Sequence, residues 1–272
     1  MTAPRDPIAS PTNPRVRAAA ALRDRRERDR TGRILIDGAR ELLRALDAGV
    51  ALETLFVCAS LCRSADCHEL LGRVARTDPR HVPVTEAAFA KLAFGDRAEG
   101  VVGVALRPGL DLTALDPPVA PLLVVVEAVE KPGNLGAILR TADAAGADGL
   151  IAADPMTDLF NPNAIRASLG TIFSVPVAAA STAATLAWLR SRTIRVVVAR
   201  VDGPELYTET DLTGPIALVL GSEAGGLTPA WSGPDVHAIR LPMSGVADSL
   251  NVSTAAAVLL YEAGRQRSTV DR

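Results

Sequence analysis

Residues 122–152 read LLVVVEAVEKPGNLGAILRTADAAGADGLIA, and the change of rhythm inside this stretch decides the fold. Leu122–Val126 is an unbroken aliphatic run of the kind that a parallel sheet covers on both faces. Asn134–Ala145 spaces its apolar residues as a helix, and Gly149–Ala152 returns to a short strand. Working outward to the C-terminus, Pro162–Leu169 reads as a helix, a short strand falls near Val175–Val177, and Thr182–Arg190 is a helix. Ile194–Ala199, Ile216–Leu220 and His237–Leu241 read as strands, and Val252–Arg265 as a closing helix. Strand and helix alternate throughout, which predicts an α/β protein with an open, mostly parallel, doubly wound sheet.

Toward the N-terminus, residues 108–121 hold four prolines and read as a linker. Before them lies a second, smaller α/β pattern: strands at Arg33–Asp37, Glu53–Cys58, Val82–Val84 and Val101–Leu106, and helices at Ala39–Asp47, Ser64–Arg76 and Glu86–Leu92. Residues 1–14 read as an arm and 15–30 as a charged helix. The expected division is therefore a basic arm and helix over 1–30, a small α/β domain over 31–107, a linker over 108–121 and a large domain over 122–272.

The chain has 272 residues, of which 48% are hydrophobic but only 3% aromatic, so its interiors are expected to be aliphatic layers rather than disordered chain. The start shows no apolar leader-like segment, and the longest apolar runs are too short to cross a bilayer, which predicts a cytoplasmic protein. Cys58, Cys62 and Cys67, with His68, match no common zinc spacing and read as reduced thiols. Net charge is −2, yet residues 1–45 carry eleven arginines against six acids. Such a stretch suits either a solvated helix or phosphate contacts, with Arg33 and Arg40 among the candidates for the latter.

Ligands of open parallel sheets bind beyond the carboxyl ends of strands, which draws attention to three loops. In the first, 127–140, Asn134 is placed to cap a helix, and Arg140 follows six residues later, where both are expected to face one side. In the second, Leu218–Leu227, a buried strand runs into Gly221-Ser222-Glu223-Ala224-Gly225-Gly226, offering main-chain groups to a flat or sugar-bearing ligand. It is neither a Walker loop nor a dinucleotide fingerprint. The third runs from Leu241-Pro242-Met243 to Ser249-Leu250-Asn251, whose polar residues suit helix capping.

Taken in order, Asn134–Thr141 (NLGAILRT), Leu220–Leu227 (LGSEAGGL), and Leu241–Gly245 (LPMSG) with Asp248–Ser253 (DSLNVS) resemble the motifs of the SpoU (TrmH-like) family of RNA ribose 2′-O-methyltransferases, in the SPOUT superfamily. Residues 163–168 and 173–177 match intermediate landmarks. The resemblance implies a C-terminal deep trefoil knot, a homodimer whose sites are completed across a helical interface, and S-adenosylmethionine as methyl donor. Donor-binding positions map to Leu220, Gly221, Ser222, Ile239, Leu241, Met243, Ser249 and Leu250. Catalytic positions map to Arg140, Asn134, Glu223, Ser249 and Asn251, with Arg33, Arg40, Arg140 and Arg166 as RNA contacts. Ala224 stands where relatives often have glycine.

The N-terminal domain resembles a ribosomal-protein-like RNA-binding module, which favours ribosomal RNA, 23S in particular, over tRNA as substrate. A non-catalytic RNA-binding or assembly protein on the same fold is the alternative outside enzymology. For the reaction itself, a ribose hydroxyl must lose its proton as it attacks. The resemblance casts Arg140 as base or as phosphate clamp. An arginine titrates so far above neutral pH that deprotonating it there costs about 8 kcal/mol, and both roles stay open.

Overall fold

The computed structural model describes residues 6–75, 81–94, 99–223 and 225–270. The chain forms two compact units, Met1–Pro108 with Phe160–Ser174, and Gly109–Leu159 with Val175–Arg272.

In the first unit, the charged stretch expected as one helix is two, α1 (Pro14–Ala21) and α2 (Arg25–Thr31). Asp24 restarts the helix by accepting from the Arg26 N–H. The buried Arg28 guanidinium donates to the carbonyls of Leu22 and Arg23 at 2.8 and 2.7 Å, giving partners to groups freed by the break. There follow β1 (Arg33–Asp37), α3 (Ala39–Asp47), β2 (Leu52–Val57), α4 (Ala65–Ala75), β3 (His81–Pro83), α5 (Glu86–Leu92) and β4 (Val101–Leu106). The expected end of α4 at Arg76 lies outside the described residues. The sheet order is β1-β4-β2-β3, with β4 antiparallel to both neighbours and β2 parallel to β3. Leu35, Phe56, Val102 and Val104 pack with Val16, Leu22 and Phe89 into a hydrophobic core.

The second unit starts with the proline-rich stretch, which is not a loose tether. Leu112 and Leu115 are 8% and 4% exposed and join the core, and the Leu110 carbonyl accepts from the Ala179 N–H at 2.9 Å. Then come β5 (Leu122–Glu127), α6 (Pro132–Ala144), β6 (Gly149–Ala153), α7 (Pro162–Ala167), β7 (Val177–Ala180), α8 (Thr182–Ser191), β8 (Arg195–Ala199), β9 (Glu205–Leu206), β10 (Ile216–Leu220), β11 (Val236–Arg240) and α9 (Val252–Val270). Of these, α7 belongs to the first unit. The strand expected near 175–177 runs over Val177–Ala180, after a 3₁₀ turn over Thr171–Phe173. β9, two residues long, had no apolar signature to announce it.

The seven strands run parallel in the order β7-β6-β5-β10-β8-β11-β9. Every residue of β5, β6 and β10 is buried, as both-face coverage requires. Inward residues such as Val125, Ile151, Val198 and Val219 meet Leu186 and Leu189 of α8 and the buried Trp231. The order departs in one direction through β5, β6 and β7 and in the other through β8, with β10 inserted beside β5. Such a reversal opens a crevice at the carboxyl ends of β5 and β10, the strands that feed the first two loops singled out above.

Candidate active site

Glu127 ends β5 and is 1% exposed. Its carboxylate accepts from the Thr182 hydroxyl at 2.8 Å and from the Thr228 N–H and hydroxyl at 2.7 Å each. A buried carboxylate persists only with such partners, and these tie the β5 end to the start of α8 and to the far end of the loop after β10.

That loop is closed tightly. Ser222 and Gly226 exchange backbone hydrogen bonds at 3.1 and 3.0 Å, Gly226 has φ +63°, and the Gly225 N–H donates to the Ser222 hydroxyl at 3.1 Å. A Cβ on Gly221 would stand 2.2 Å from the Gly226 carbonyl carbon, so only glycine lets the two arms approach. The question raised by Ala224 lies outside the described residues.

Asn134 does not cap α6. The helix starts two residues earlier, with Pro132 at its first position, where a missing N–H costs nothing, and Lys131 at the cap without a side-chain bond. The Asn134 amide is thereby free to donate to Glu223 Oε1 at 2.8 Å. Asn251 donates to the same oxygen at 2.5 Å and to Asn134 Oδ1 at 3.3 Å. Its own Oδ1 accepts from the Ser253 N–H and hydroxyl at 2.9 and 2.6 Å, which caps α9 and fixes the amide's orientation. Lys131 Nζ pairs with Glu223 Oε2. This pairing holds the Glu223 carboxyl below the usual range and the Lys131 ammonium above its own. Three loops, from β5, β10 and β11, thus meet on one carboxylate.

Beside it opens a cavity of about 560 Å³, walled by Leu220, Gly221, Ser222, Leu241, Met243, Ser249 and Leu250 of the expected donor-binding set. Ile239 is not in the wall. It is buried within β11, and its carbonyl accepts from the Arg200 N–H at 2.9 Å. Arg200, Val201 and Asp202 line the cavity and were not anticipated, though they follow directly on β8, where the strand-end rule points. Asp248 was also missed. The volume is within the ~300–1,000 Å³ of small-molecule sites. Aliphatic side chains (Leu220, Leu241, Met243, Leu250), a glycine-rich stretch of main chain and polar residues among the lining suit a purine nucleoside carrying a polar tail, so the residues fit S-adenosylmethionine. A smaller cavity of about 290 Å³ adjoins, sharing Ser222, Glu223 and Val252 with the first and adding Lys131, Glu130 and Asn134.

Arg140 is exposed, and its side chain makes no hydrogen bond or ion pair among the described residues. Six residues of helix carry it about 120° around α6 from Asn134, which corrects the expectation that both face one side. The other expected RNA contacts are already engaged within the first unit. Arg33 forks onto Glu53 at 2.5 and 3.0 Å, and Arg40 lies 3.4 Å from Asp66. Arg166 bonds the Phe94 carbonyl at 2.6 Å and Asp37 at 3.3 Å. Burial pushes the Cys67 thiol up to about 12, so it is no nucleophile at neutral pH.

Fold and site define an α/β domain that holds a small-molecule cavity at the carboxyl ends of β8, β10 and β11 of a parallel sheet. The model of the SpoU rRNA Methylase family matches residues 121–261, and that of the MRM3-like substrate binding domain matches residues 13–103. The chain belongs to the SpoU rRNA methylase family. It is 33% identical over 257 residues to a 23S rRNA (uridine(2479)-2′-O)-methyltransferase of Streptomyces viridochromogenes, covering 91% of this chain and 88% of the relative. It is 36% identical over 198 residues to the 23S rRNA (guanosine-2′-O-)-methyltransferase RlmB of Ralstonia nicotianae, covering 70% and 79%. The AdoMet-bound rRNA methyltransferase of Sinorhizobium meliloti superposes with a TM-score of 0.86 at 31% identity, over 96% of this chain and 97% of that one. Among the described residues, no helix is long and apolar enough to cross a membrane.

Proposed function

We infer that the protein transfers a methyl group from S-adenosylmethionine to a ribose 2′-hydroxyl of 23S ribosomal RNA, in the cytoplasm. The observation that carries this reading is the meeting of the three loops on Glu223, at the wall between a donor-sized cavity and a smaller one able to take a sugar. S-adenosylmethionine, when bound, supplies a methyl group activated by its sulfonium charge. The protein's share is then to orient the hydroxyl and to manage its proton. Asn134, held by Glu223 and Asn251, presents its amide toward the smaller cavity as a ribose-orienting group. The main chain from Leu220 to Ser222, with Leu241, Met243, Ser249 and Leu250, holds the donor.

Arg140 serves as a clamp on the phosphate of the target nucleotide, since its exposed guanidinium has all its donors available. It works across a homodimer, reaching the cavity of the second copy, because in its own subunit it stands apart from Asn134. The C-terminal segment is threaded as a trefoil knot, and residues 31–107 form the RNA-binding domain.

Relatives carry the names of uridine- and guanosine-directed 2′-O-methyltransferases. Labelled donor incubated with separated rRNA and tRNA, followed by mapping of the labelled nucleotide, tests the substrate. Label confined to tRNA, or no transfer at all, would overturn the reading. Arg140→Ala should lower transfer at least about 100-fold while calorimetric donor binding survives. Loss of both together refutes the clamp.

A further inference from the structure

Lys131 belongs to none of the polar positions that the family motifs single out, yet it closes the cluster on Glu223. Glu223 Oε1 is taken by two amides, from Asn134 and Asn251, and Oε2 by the Lys131 ammonium. Glu223 is 29% exposed at its side chain and Lys131 69%, so the pair sits at the mouth of the smaller cavity, lysine outermost. A carboxylate with one oxygen unengaged rotates about its last bond. One engaged on both sides holds its plane, and with it the direction of each amide bonded to it.

We propose that Lys131 is a positioning residue for methyl transfer, acting through Glu223 to fix the Asn134 amide toward the incoming ribose. The proposal rests on the reading of this site as a methyl-transfer centre. The other charged groups about Glu223 are Glu130, beside Lys131 at the smaller cavity, and Asp248 with the Arg200–Asp202 pair at the larger. Arg200 is spent on Asp202, with both contacts at 2.9 Å, so it offers Glu223 no second cation. Lys131, through its hydrogen bond and its charge, is the main support for the ionised form of Glu223, with the Asn134 amide adding to it.

The test compares wild type, Lys131→Met and Lys131→Arg. In RNA-free, donor-free protein, the ¹⁵N-labelled side-chain amides of Asn134 and Asn251 report the ionisation of Glu223 as pH is lowered. The amide titration should come at higher pH in Lys131→Met than in wild type and return toward wild type in Lys131→Arg. In the methyl-transfer assay, Lys131→Met should lose about 10- to 100-fold in kcat, with S-adenosylhomocysteine affinity unchanged and arginine restoring most of the loss. An amide titration indifferent to the substitution overturns the proposal without touching the proposed activity. So does a rise in KM for RNA at constant kcat, which would make Lys131 a direct RNA contact. Should wild type transfer no methyl group to any RNA, the activity reading fails, while the amide titration still judges the link between Lys131 and Glu223.

Discussion

Replacing Gly221 with alanine tests whether the loop after β10 is a pre-shaped cradle. The added carbon would stand 2.2 Å from the Gly226 carbonyl carbon, 2.3 Å from its oxygen and 2.5 Å from the Leu227 nitrogen. All three are backbone atoms, so no side chain can swing aside. Carbon contacts settle at about 3.5–4.0 Å, and the two arms must therefore part by more than about 1 Å. Parting them breaks the paired Ser222–Gly226 hydrogen bonds, each worth about 0.5–1.5 kcal/mol, and the overpacking itself costs about 1–3 kcal/mol. If about 2–4 kcal/mol falls on the donor-ready shape of the loop, affinity drops by about 30- to 1,000-fold. Calorimetry with S-adenosylhomocysteine measures this, with thermal denaturation to establish that the variant folds. Gly109→Ala, which meets nothing within 4 Å, is the control. A folded Gly221→Ala protein that binds within about threefold of wild type would refute the cradle.

Two further outcomes follow from buried carboxylates. Burial pushes the Asp37 carboxyl up to about 6 from the usual aspartate value of about 3.9, so between those values the folded protein holds its proton more tightly than the unfolded chain. Its contribution is greatest below the unfolded value and is lost as pH rises through 6. Asp37→Asn should remove up to about 3 kcal/mol of this pH dependence, and denaturant melts at pH 4 and pH 7 that differ equally in both proteins would contradict it. Glu127→Ala strips the partners from two threonine hydroxyls and an N–H, and should cost about 3 kcal/mol or more. A melting temperature less than about 6 °C below wild type would show that water replaces the carboxylate.

Sequence alone made the sheet legible wherever an element was written in its own rhythm. Ile216–Leu220 and Arg33–Asp37 are bounded as their apolar runs imply, and α3 spans the residues its periodicity predicts. What stayed unread depends on partners far along the chain. Lys131 meets a carboxylate 92 residues away, and Arg166 one 129 residues away, so neither carries a local mark of its engagement. The prolines of 108–121 gave a linker signal strong enough to mask Leu112 and Leu115, whose burial depends on a core assembled later in the chain. The cap role suggested for Asn134 by its neighbours is not made: a cap needs only those neighbours, whereas its observed bonds need two other loops. The loops themselves were legible because glycine at 221 and asparagine at 251 announce close approach and capping in any context.

Residues 160–174 leave the catalytic sheet between β6 and β7 and build into the other unit, where Arg166 reaches Asp37, Arg44 donates to the Leu169 carbonyl at 2.8 Å, and Gly170 packs against Glu41. A gene fragment ending at Pro108 would therefore encode a sheet lacking its clasp, with the Asp37 carboxylate shut in beside no guanidinium from α7. Recombination that exchanges the front half of this chain must carry two separated stretches of coding sequence at once, which couples the inheritance of the N-terminal unit to a short tract inside its neighbour.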